Sequence, residues 1–131
     1  CTHLGLDDEI HEMMVVHERE CYVRPHKHIN RMESFHIIEG SVDIILFDDH
    51  GRINEVIPLG EFRTGQVFYY RLPPSQYHTL IIKNDVVVFH ETTSGPFNPS
   101  DTIWAPWAPE ITDVDGITKY LSMITGQMNK D

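Results

Sequence analysis

Short runs of β-branched and aromatic residues, each ended by turn residues, recur along most of the chain. Such runs predict strands, because these side chains pack well on a pleated sheet. We predict eight strands, over residues 10–16, 21–28, 34–39, 42–47, 53–59, 67–72, 77–82 and 86–93. Gly40-Ser41 and Asp48-Asp49-His50-Gly51 are hairpin signals between consecutive strands. The pattern is typical of an all-β barrel or double-sheet jelly roll.

The C-terminal part of the chain shows a different pattern. Residues 95–109 hold four of the eight prolines and both tryptophans, which predicts an ordered loop laid over the barrel. Residues 115–128 predict a short helix. Its apolar face consists of Ile117, Tyr120, Leu121 and Ile124. We interpret Trp104 and Trp107 as hydrophobic cover for an open barrel end, where they can still shape a pocket; stacking on a ligand is the alternative.

Length and composition agree with one domain of 131 residues, with a barrel core over about residues 10–94 and a loop and helix over residues 95–131. The chain is 40% hydrophobic and 23% charged, and no apolar run has the length of a membrane span, so we expect no membrane contact. No secretion signal is visible, which favours the cytoplasm. The formal net charge of −10 repels nucleic acid, which we exclude as a partner.

Four residues have the identity and spacing of a metal site. His26 and His28 are two positions apart, so on a strand both imidazoles point to one face. A hairpin can place the carboxylate of Glu33 over this pair, and His78 can join it from a third strand. Imidazoles with one carboxylate favour first-row divalent metals over Ca and Mg. We predict one divalent transition metal, which the sequence does not identify among Zn, Fe, Ni and Mn.

The same residues resemble the two motifs of the cupin superfamily. The first motif contains His-x-His, Glu and Gly at fixed intervals, and its counterparts here are His26, His28, Glu33 and Gly40. The second motif is matched by Gly65, Pro73 and His78. Three motif positions that are not ligands differ from the usual residue, namely Glu20, Ser75 and Ile82. The resemblance implies a cupin double-stranded β-helix, or jelly-roll barrel, with these three histidines and Glu33 as metal ligands.

Longer stretches resemble the WbuC-type cupins, small proteins often found with bacterial surface-polysaccharide genes. The matching stretches are residues 22–28, 44–51, 72–79, 95–99 and 107–110. The resemblance implies a bacterial protein with a carbohydrate substrate in polysaccharide biosynthesis. Members of this group usually have further residues before the barrel, so we expect that a segment precedes Cys1. Cupins commonly pair, so we expect a homodimer, in which Met13-Met14-Val15-Val16 is either a contact or an inner core strand.

Strand parity predicts which side chains lie beside the metal. Counting by twos from the ligands of the first motif puts Tyr22, Arg24 and Phe35 on the inward face, and we predict that they bind the substrate. Burying an arginine in an apolar barrel is costly unless it meets an anion. For Arg24, a carboxylate or phosphate of the substrate and a salt bridge to an acidic residue such as Glu91 are equal alternatives.

The second motif adds two residues to the predicted substrate site, Gln76 and Tyr77, which can donate hydrogen bonds. The sequence does not assign a base for proton transfer, for which the candidates are Tyr69, Tyr70, Tyr77 and His90. A histidine without a second ligand nearby is more often structural or exposed. We therefore leave out of the metal site His3, His11, His17, His36, His50 and His90.

Three function classes agree with these features. The first is a metal-dependent enzyme that isomerises or epimerises a sugar or a sugar nucleotide by polarising a carbonyl or hydroxyl group. The second is a non-haem iron dioxygenase, for which the same ligands serve. The third is a module that binds a small molecule without turnover, in which the metal orders the barrel. The resemblance to WbuC-type cupins favours the first class.

Overall fold

The protein is described by a computed structural model over residues 1–129. Within this range it has nine strands and one α-helix. The strands are β1 (Ile10–Glu18), β2 (His26–His28), β3 (Glu33–Glu39), β4 (Ser41–Phe47), β5 (Ile53–Gly60), β6 (Tyr69–Arg71), β7 (Tyr77–Ile82), β8 (Val86–Ser94) and β9 (Thr102–Trp104). The helix, α1, spans Val114–Met128. No helix in the described range is long and apolar enough to cross a membrane.

Two antiparallel sheets form a sandwich. One has the strand order β1-β8-β3-β6 and the other the order β5-β4-β7-β2-β9. Side chains of the inner faces form the main core, in which the ring centres of Phe35 and Phe89 are 5.7 Å apart. The aliphatic members of this core include Ile37, Val42, Ile44, Leu46, Leu59, Leu80, Ile82 and Val87. The architecture confirms the predicted all-β jelly-roll fold with a C-terminal helix.

Strand β2 is shorter than predicted. The sequence predicts a strand over residues 21–28, but only His26–His28 pair with neighbouring strands. Pro25 ends the pairing on its N-terminal side, because proline has no N–H group for a ladder hydrogen bond. The carbonyl of Val23 accepts a hydrogen bond from the side chain of Thr79 instead. The other seven predicted strands are present, with ends that differ by at most two residues.

Strand β9 lies in the segment predicted as a loop. It pairs with the short β2, so that Thr102 is opposite His28 and Trp104 is opposite His26. A three-residue strand has too few positions for alternation to be visible, and the prolines of this segment predict a loop. The segment therefore extends the sheet that holds the two histidines.

The outer face of the second sheet is covered by the loop and by α1. Phe47 and Tyr77 contact Trp107, with ring centres 5.0 and 5.7 Å away, and Ile124 of α1 is buried in the same cluster. The predicted helix is confirmed, and Tyr120 on its apolar face packs against this cluster. Trp107 therefore covers a sheet face, not the open barrel end that we predicted.

Alternation divides the apolar segment of β1 between two faces. Met14 and Val16 are 50% and 62% exposed on the outer face of the first sheet. Val15 packs against the main core. The core-strand interpretation therefore holds for Val15, and Met14 and Val16 are exposed as a contact surface would require.

Candidate metal centre

The four predicted ligands meet at one end of the sandwich, and they come from both sheets. His26, His28 and His78 lie on β2 and β7, and one ring nitrogen of each is within 4.8 Å of the other two. Glu33, the first residue of β3, belongs to the opposite sheet. Its Oε2 atom is 3.2 Å from Nε2 of His28 and 3.4 Å from Nε2 of His78. Glu33 and His78 are buried, with 6% and 1% of their surfaces exposed.

Each imidazole is held by a hydrogen bond on the ring nitrogen that faces away from the cluster. Nδ1 of His26 donates to the backbone oxygen of Arg24 at 2.7 Å, and Nδ1 of His78 donates to that of Gln76 at 3.0 Å. Nδ1 of His28 is 3.2 Å from the hydroxyl of Thr102 on β9. Contacts of this kind fix the orientation of a ligating histidine and leave Nε2 for the metal.

The donor set fits a divalent metal ion. A neutral imidazole that donates from Nδ1 has a lone pair on Nε2, so His26 and His78 each present an acceptor. Burial lowers the pKa of His26 to about 4, so this ring is neutral near pH 7. Oε2 of Glu33 is also an acceptor, and it is buried without a hydrogen-bond partner. A cation among these acceptors removes their mutual repulsion, and three nitrogens with one carboxylate suit Zn, Fe, Ni or Mn.

A cavity of about 450 Å³ opens beside His26 and His28. Its other walls include Met13 of β1, Glu91 and Thr93 of β8, and the side chains of Arg31, Phe97 and Trp104. The volume is within the usual range for a small-molecule site, and most of the wall is apolar with a few polar groups. The cavity can therefore bring a small ligand to the candidate metal centre.

The structure does not place the five predicted substrate residues on the wall of this cavity. Phe35 is in the main core, where parity from Glu33 places it. Tyr22 donates a hydrogen bond from its hydroxyl to the backbone oxygen of Pro109. Tyr77 faces the outer cluster around Trp107, because it neighbours the inward His78 on an alternating strand. That these residues bind a substrate stays a prediction.

Gln76 and Arg24 act on the histidines through their backbones. The side chain of Gln76 donates a 2.6 Å hydrogen bond to the carbonyl of Phe47, while its own carbonyl holds His78. The guanidinium of Arg24 lies 5.6 Å from the ring centre of Trp104. Within residues 1–129 Arg24 forms no salt bridge, and contact of Arg24 with an anionic group of the substrate stays a prediction.

Glu91 is a site residue that the sequence suggested only as a salt-bridge partner of Arg24. It lies opposite Phe35 in the pairing of β3 with β8, and it faces the cavity. Burial and the neighbouring charge of Glu33 raise the pKa of Glu91 to about 8. Parity was the available signal, because Phe89, Glu91 and Thr93 alternate along β8 toward the inner side.

The histidines that we left out of the metal site lie outside the cluster. His36 is exposed on the outer face of β3, His50 is in the turn after β4, and Nε2 of His90 is 3.3 Å from a carboxylate oxygen of Glu12. His11 and His3 line the cavity and their rings stack at 4.1 Å. The four candidate bases, Tyr69, Tyr70, Tyr77 and His90, are not among the residues that line this cavity.

Sequence comparison gives little information about function. A profile described as a domain of unknown function, DUF6016, matches residues 1–59. The matched part includes His26, His28 and Glu33 but not His78. No curated protein has a significantly similar sequence.

Comparison with solved structures is more informative. A protein from Shewanella oneidensis has a TM-score of 0.62 at 13% identity, over 75% of this chain and 63% of the other, so the chain spans less than two thirds of that protein. The TDP-quinovose 3,4-ketoisomerase from Campylobacter jejuni has a TM-score of 0.59 at 16% identity, over 72% and 68%. The capsular polysaccharide assembling protein CapF from Staphylococcus aureus has a TM-score of 0.59 at 17% identity, over 75% and 29%. At these identities the likeness concerns the fold, which is that of the cupins; a closer relation to the WbuC type stays a prediction.

Proposed function

We propose that the protein is a cupin-fold metalloprotein that acts on a sugar or sugar nucleotide. In this proposal His26, His28, Glu33 and His78 bind one divalent ion. The main support is the buried Oε2 of Glu33, which lies 3.2 and 3.4 Å from two imidazole nitrogens without a hydrogen bond of good geometry, while the outer nitrogens of these rings are already engaged. A buried carboxylate oxygen without a partner is costly, and a bound cation offsets that cost.

The chemistry expected of such an ion is Lewis-acid polarisation of a carbonyl or hydroxyl oxygen. The protein residues fix the four donors, and the backbone carbonyls of Arg24 and Gln76 orient two of the rings. Four protein donors leave coordination positions on an ion that accepts five or six ligands. The cavity on the side of His26 and His28 would admit a substrate oxygen to such an ion, and most of its wall is apolar.

The substrate class is supported by the fold and by the size of the cavity. The ketoisomerase named above acts on a TDP-linked sugar, and CapF assembles capsular polysaccharide, as their names state. A cavity of about 450 Å³ has room for a sugar ring. Isomerisation or epimerisation of a sugar intermediate in bacterial polysaccharide biosynthesis is therefore our first choice among the three function classes.

Proton exchange with solvent tests the proposed reaction class. Metal-loaded protein is incubated in D2O with a thymidine-diphosphate-linked 4-keto sugar, and deuterium entry beside the carbonyl is followed by NMR. We expect exchange with the wild type and with His50→Ala, and none with His78→Ala. Exchange that persists in His78→Ala, or that is absent from every metal-loaded form of the wild type, contradicts the proposal.

The other two function classes are separate outcomes of the same experiment. Oxygen consumption by the iron form without deuterium entry supports the dioxygenase. Saturable binding of the sugar nucleotide with neither reaction supports the binding module.

We further propose a homodimer that uses the outer face of the first sheet. Met14 and Val16 on β1 and Ile38 on β3 are exposed on this face. Exposed apolar side chains that lie together favour a contact with another protein surface. Sedimentation of the wild type and of Met14→Glu with Val16→Lys tests this state. We expect a dimer and a monomer, respectively.

A further inference from the structure

We propose that Arg31 binds an oxyanion, a carboxylate or phosphate group, of a ligand in the cavity beside the candidate metal centre. Arg31 lines this cavity together with Phe97 and Trp104. This inference adds a substrate contact to the site described under the proposed function. It rests on that function for the part of the ligand that reaches the metal.

The Arg31 guanidinium is fixed in place by neutral partners. Its Nε donates to the backbone oxygen of Ser94 at 3.2 Å, and one Nη2 hydrogen is donated to the hydroxyl of Thr93 at 2.8 Å. The ring centre of Phe97 lies 5.4 Å from the guanidinium carbon. Of the five N–H groups of an arginine, three remain after these two bonds. They include a pair on the two Nη atoms, whose geometry matches both oxygens of a carboxylate or phosphate.

Arg31 has no carboxylate partner within the described range, although the chain has 20 acidic and only 10 basic residues. Four other cations, Arg19, Lys27, Arg52 and Lys83, each form an ion pair with an aspartate. Among the ion pairs of residues 1–129 there is none that involves Arg31. The acidic group on which its charge acts is Glu91, which lines the same cavity but is not within ion-pair distance. A half-buried cation that is held by neutral partners and faces a cavity is arranged to meet an anion.

Two exposed aromatic rings indicate what lies next to that anion. Phe97 and Trp104 are 42% and 52% exposed, and both line the cavity. The ring centre of Trp104 is 5.3 Å from that of His26. A ligand that fills the cavity from Arg31 to the candidate metal centre shares it with the exposed rings of Phe97 and Trp104. Aromatic faces favour a sugar ring or another planar or apolar group at this point.

Calorimetric titration with four probes tests the proposal and separates the two sources of the oxyanion. The probes are inorganic phosphate, thymidine diphosphate, glucuronate and neutral glucose. We expect thymidine diphosphate or glucuronate to bind, at least tenfold more tightly than glucose, and at least tenfold more weakly to Arg31→Gln than to the wild type. Arg63→Gln, which alters an exposed arginine outside this cavity, is the matched control and should bind like the wild type.

Several results overturn the proposal: no binding of any anionic probe, equal binding by Arg31→Gln, or glucose binding as tightly as glucuronate. If Arg31→Gln does not fold, Arg31→Lys and Trp104→Leu replace it. Arg31→Lys keeps the charge without the paired donors, so we expect it to bind between wild type and background. Elemental analysis of the same samples separates the two proposals. One equivalent of metal without Arg31-dependent binding contradicts this inference alone, whereas Arg31-dependent binding without metal contradicts the proposed function alone.

Discussion

Oε2 of Glu33 and Nε2 of His78 are 3.4 Å apart although the two residues belong to opposite sheets of the sandwich. The other two imidazoles of the cluster lie on the same sheet as His78, where His26 pairs directly with it. The candidate metal centre is thus a link between the sheets at one end of the core. An ion bound there holds the sandwich together as well as serving chemistry, so metal binding and folding stability are coupled.

Removal of the metal should lower the stability of the wild type. An ion that binds only the folded state adds about 2.7 kcal/mol when its free concentration is a hundred times Kd. We expect a chelator to lower the melting temperature of metal-loaded wild type by several degrees and to leave that of His78→Ala unchanged. Differential scanning calorimetry measures both melting temperatures. If the chelator lowers them equally in the two proteins, the stabilising ion lies elsewhere.

Thr102 should control metal affinity through His28. Its hydroxyl is 3.2 Å from Nδ1 of that ring, and partners of this kind change metal affinity by about 10-fold to 100-fold when removed. We expect Thr102→Val to weaken zinc binding by about this factor, measured by competition with a fluorescent chelator. Thr118→Val, on the exposed surface of α1, is the matched control and should have wild-type affinity. Unchanged affinity in Thr102→Val argues that the ring of His28 does not ligate the ion.

Gly51 should tolerate no side chain. Its φ is +84°, and a Cβ atom there would lie 2.7 Å from the ring of Trp107. We expect Gly51→Ala to destabilise the protein by about 1–3 kcal/mol in urea unfolding, because it adds backbone strain and displaces the ring. Gly126 of α1 has nothing within 4 Å of its Cβ position, so Gly126→Ala should instead stabilise by up to about 1 kcal/mol. Equal effects of the two substitutions would contradict the packing of Trp107 on this turn.

The pKa of Asp48 gives a pH-dependent prediction for the same turn. Hydrogen bonds from the backbone N–H and the side chain of Arg52 lower this pKa from 3.8 to about 2. The folded state therefore favours the charged form, and the stability that Asp48 contributes is complete above its unfolded pKa and is lost as the pH falls toward 2.

We expect NMR titration to place the midpoint of Asp48 near 2 in the wild type. In Arg52→Gln the midpoint should rise but stay below 3.8, because the backbone bonds from residue 52 and His50 remain. The stability difference between the wild type and Asp48→Ala should shrink as the pH falls from 3.8 to about 2. A wild-type midpoint at 3.8 would contradict the turn geometry.

Local sequence patterns predicted eight of the nine strands, with β2 too long, and predicted that the four candidate ligands lie close together. His26 and His28 meet because the period of a strand is two, and this holds whatever the sheet pairs with. Glu33 and His78 follow turns that are visible in the sequence, so the jelly-roll connections bring them to the same end of the sandwich. The cupin motifs contain the same residues at the same spacing, so the resemblance predicts the same four ligands.

The walls of the cavity could not be predicted in the same way, because they depend on contacts between distant segments. Trp104 reaches the cavity because β9 pairs with β2, a pairing that three residues do not encode by themselves. Phe97 is held there by a backbone hydrogen bond to Leu6, which is 91 positions earlier in the chain. Tyr77 is next to His78 in the sequence, so alternation puts its side chain on the other face of β7. Gln76 precedes β7, and its side chain bonds to the backbone of Phe47. Arg31 lies between two strands, where alternation gives no direction to a side chain.

Elemental analysis of protein purified without metal-affinity resin tests whether the four residues of the two sheets hold an ion. We predict about one equivalent of a divalent transition metal in the wild type and in His50→Ala, and less than about a tenth of that in His78→Ala and Glu33→Ala. One equivalent retained by His78→Ala, or a folded wild type that binds none even when zinc, iron, nickel and manganese are supplied, would contradict the assignment of the centre.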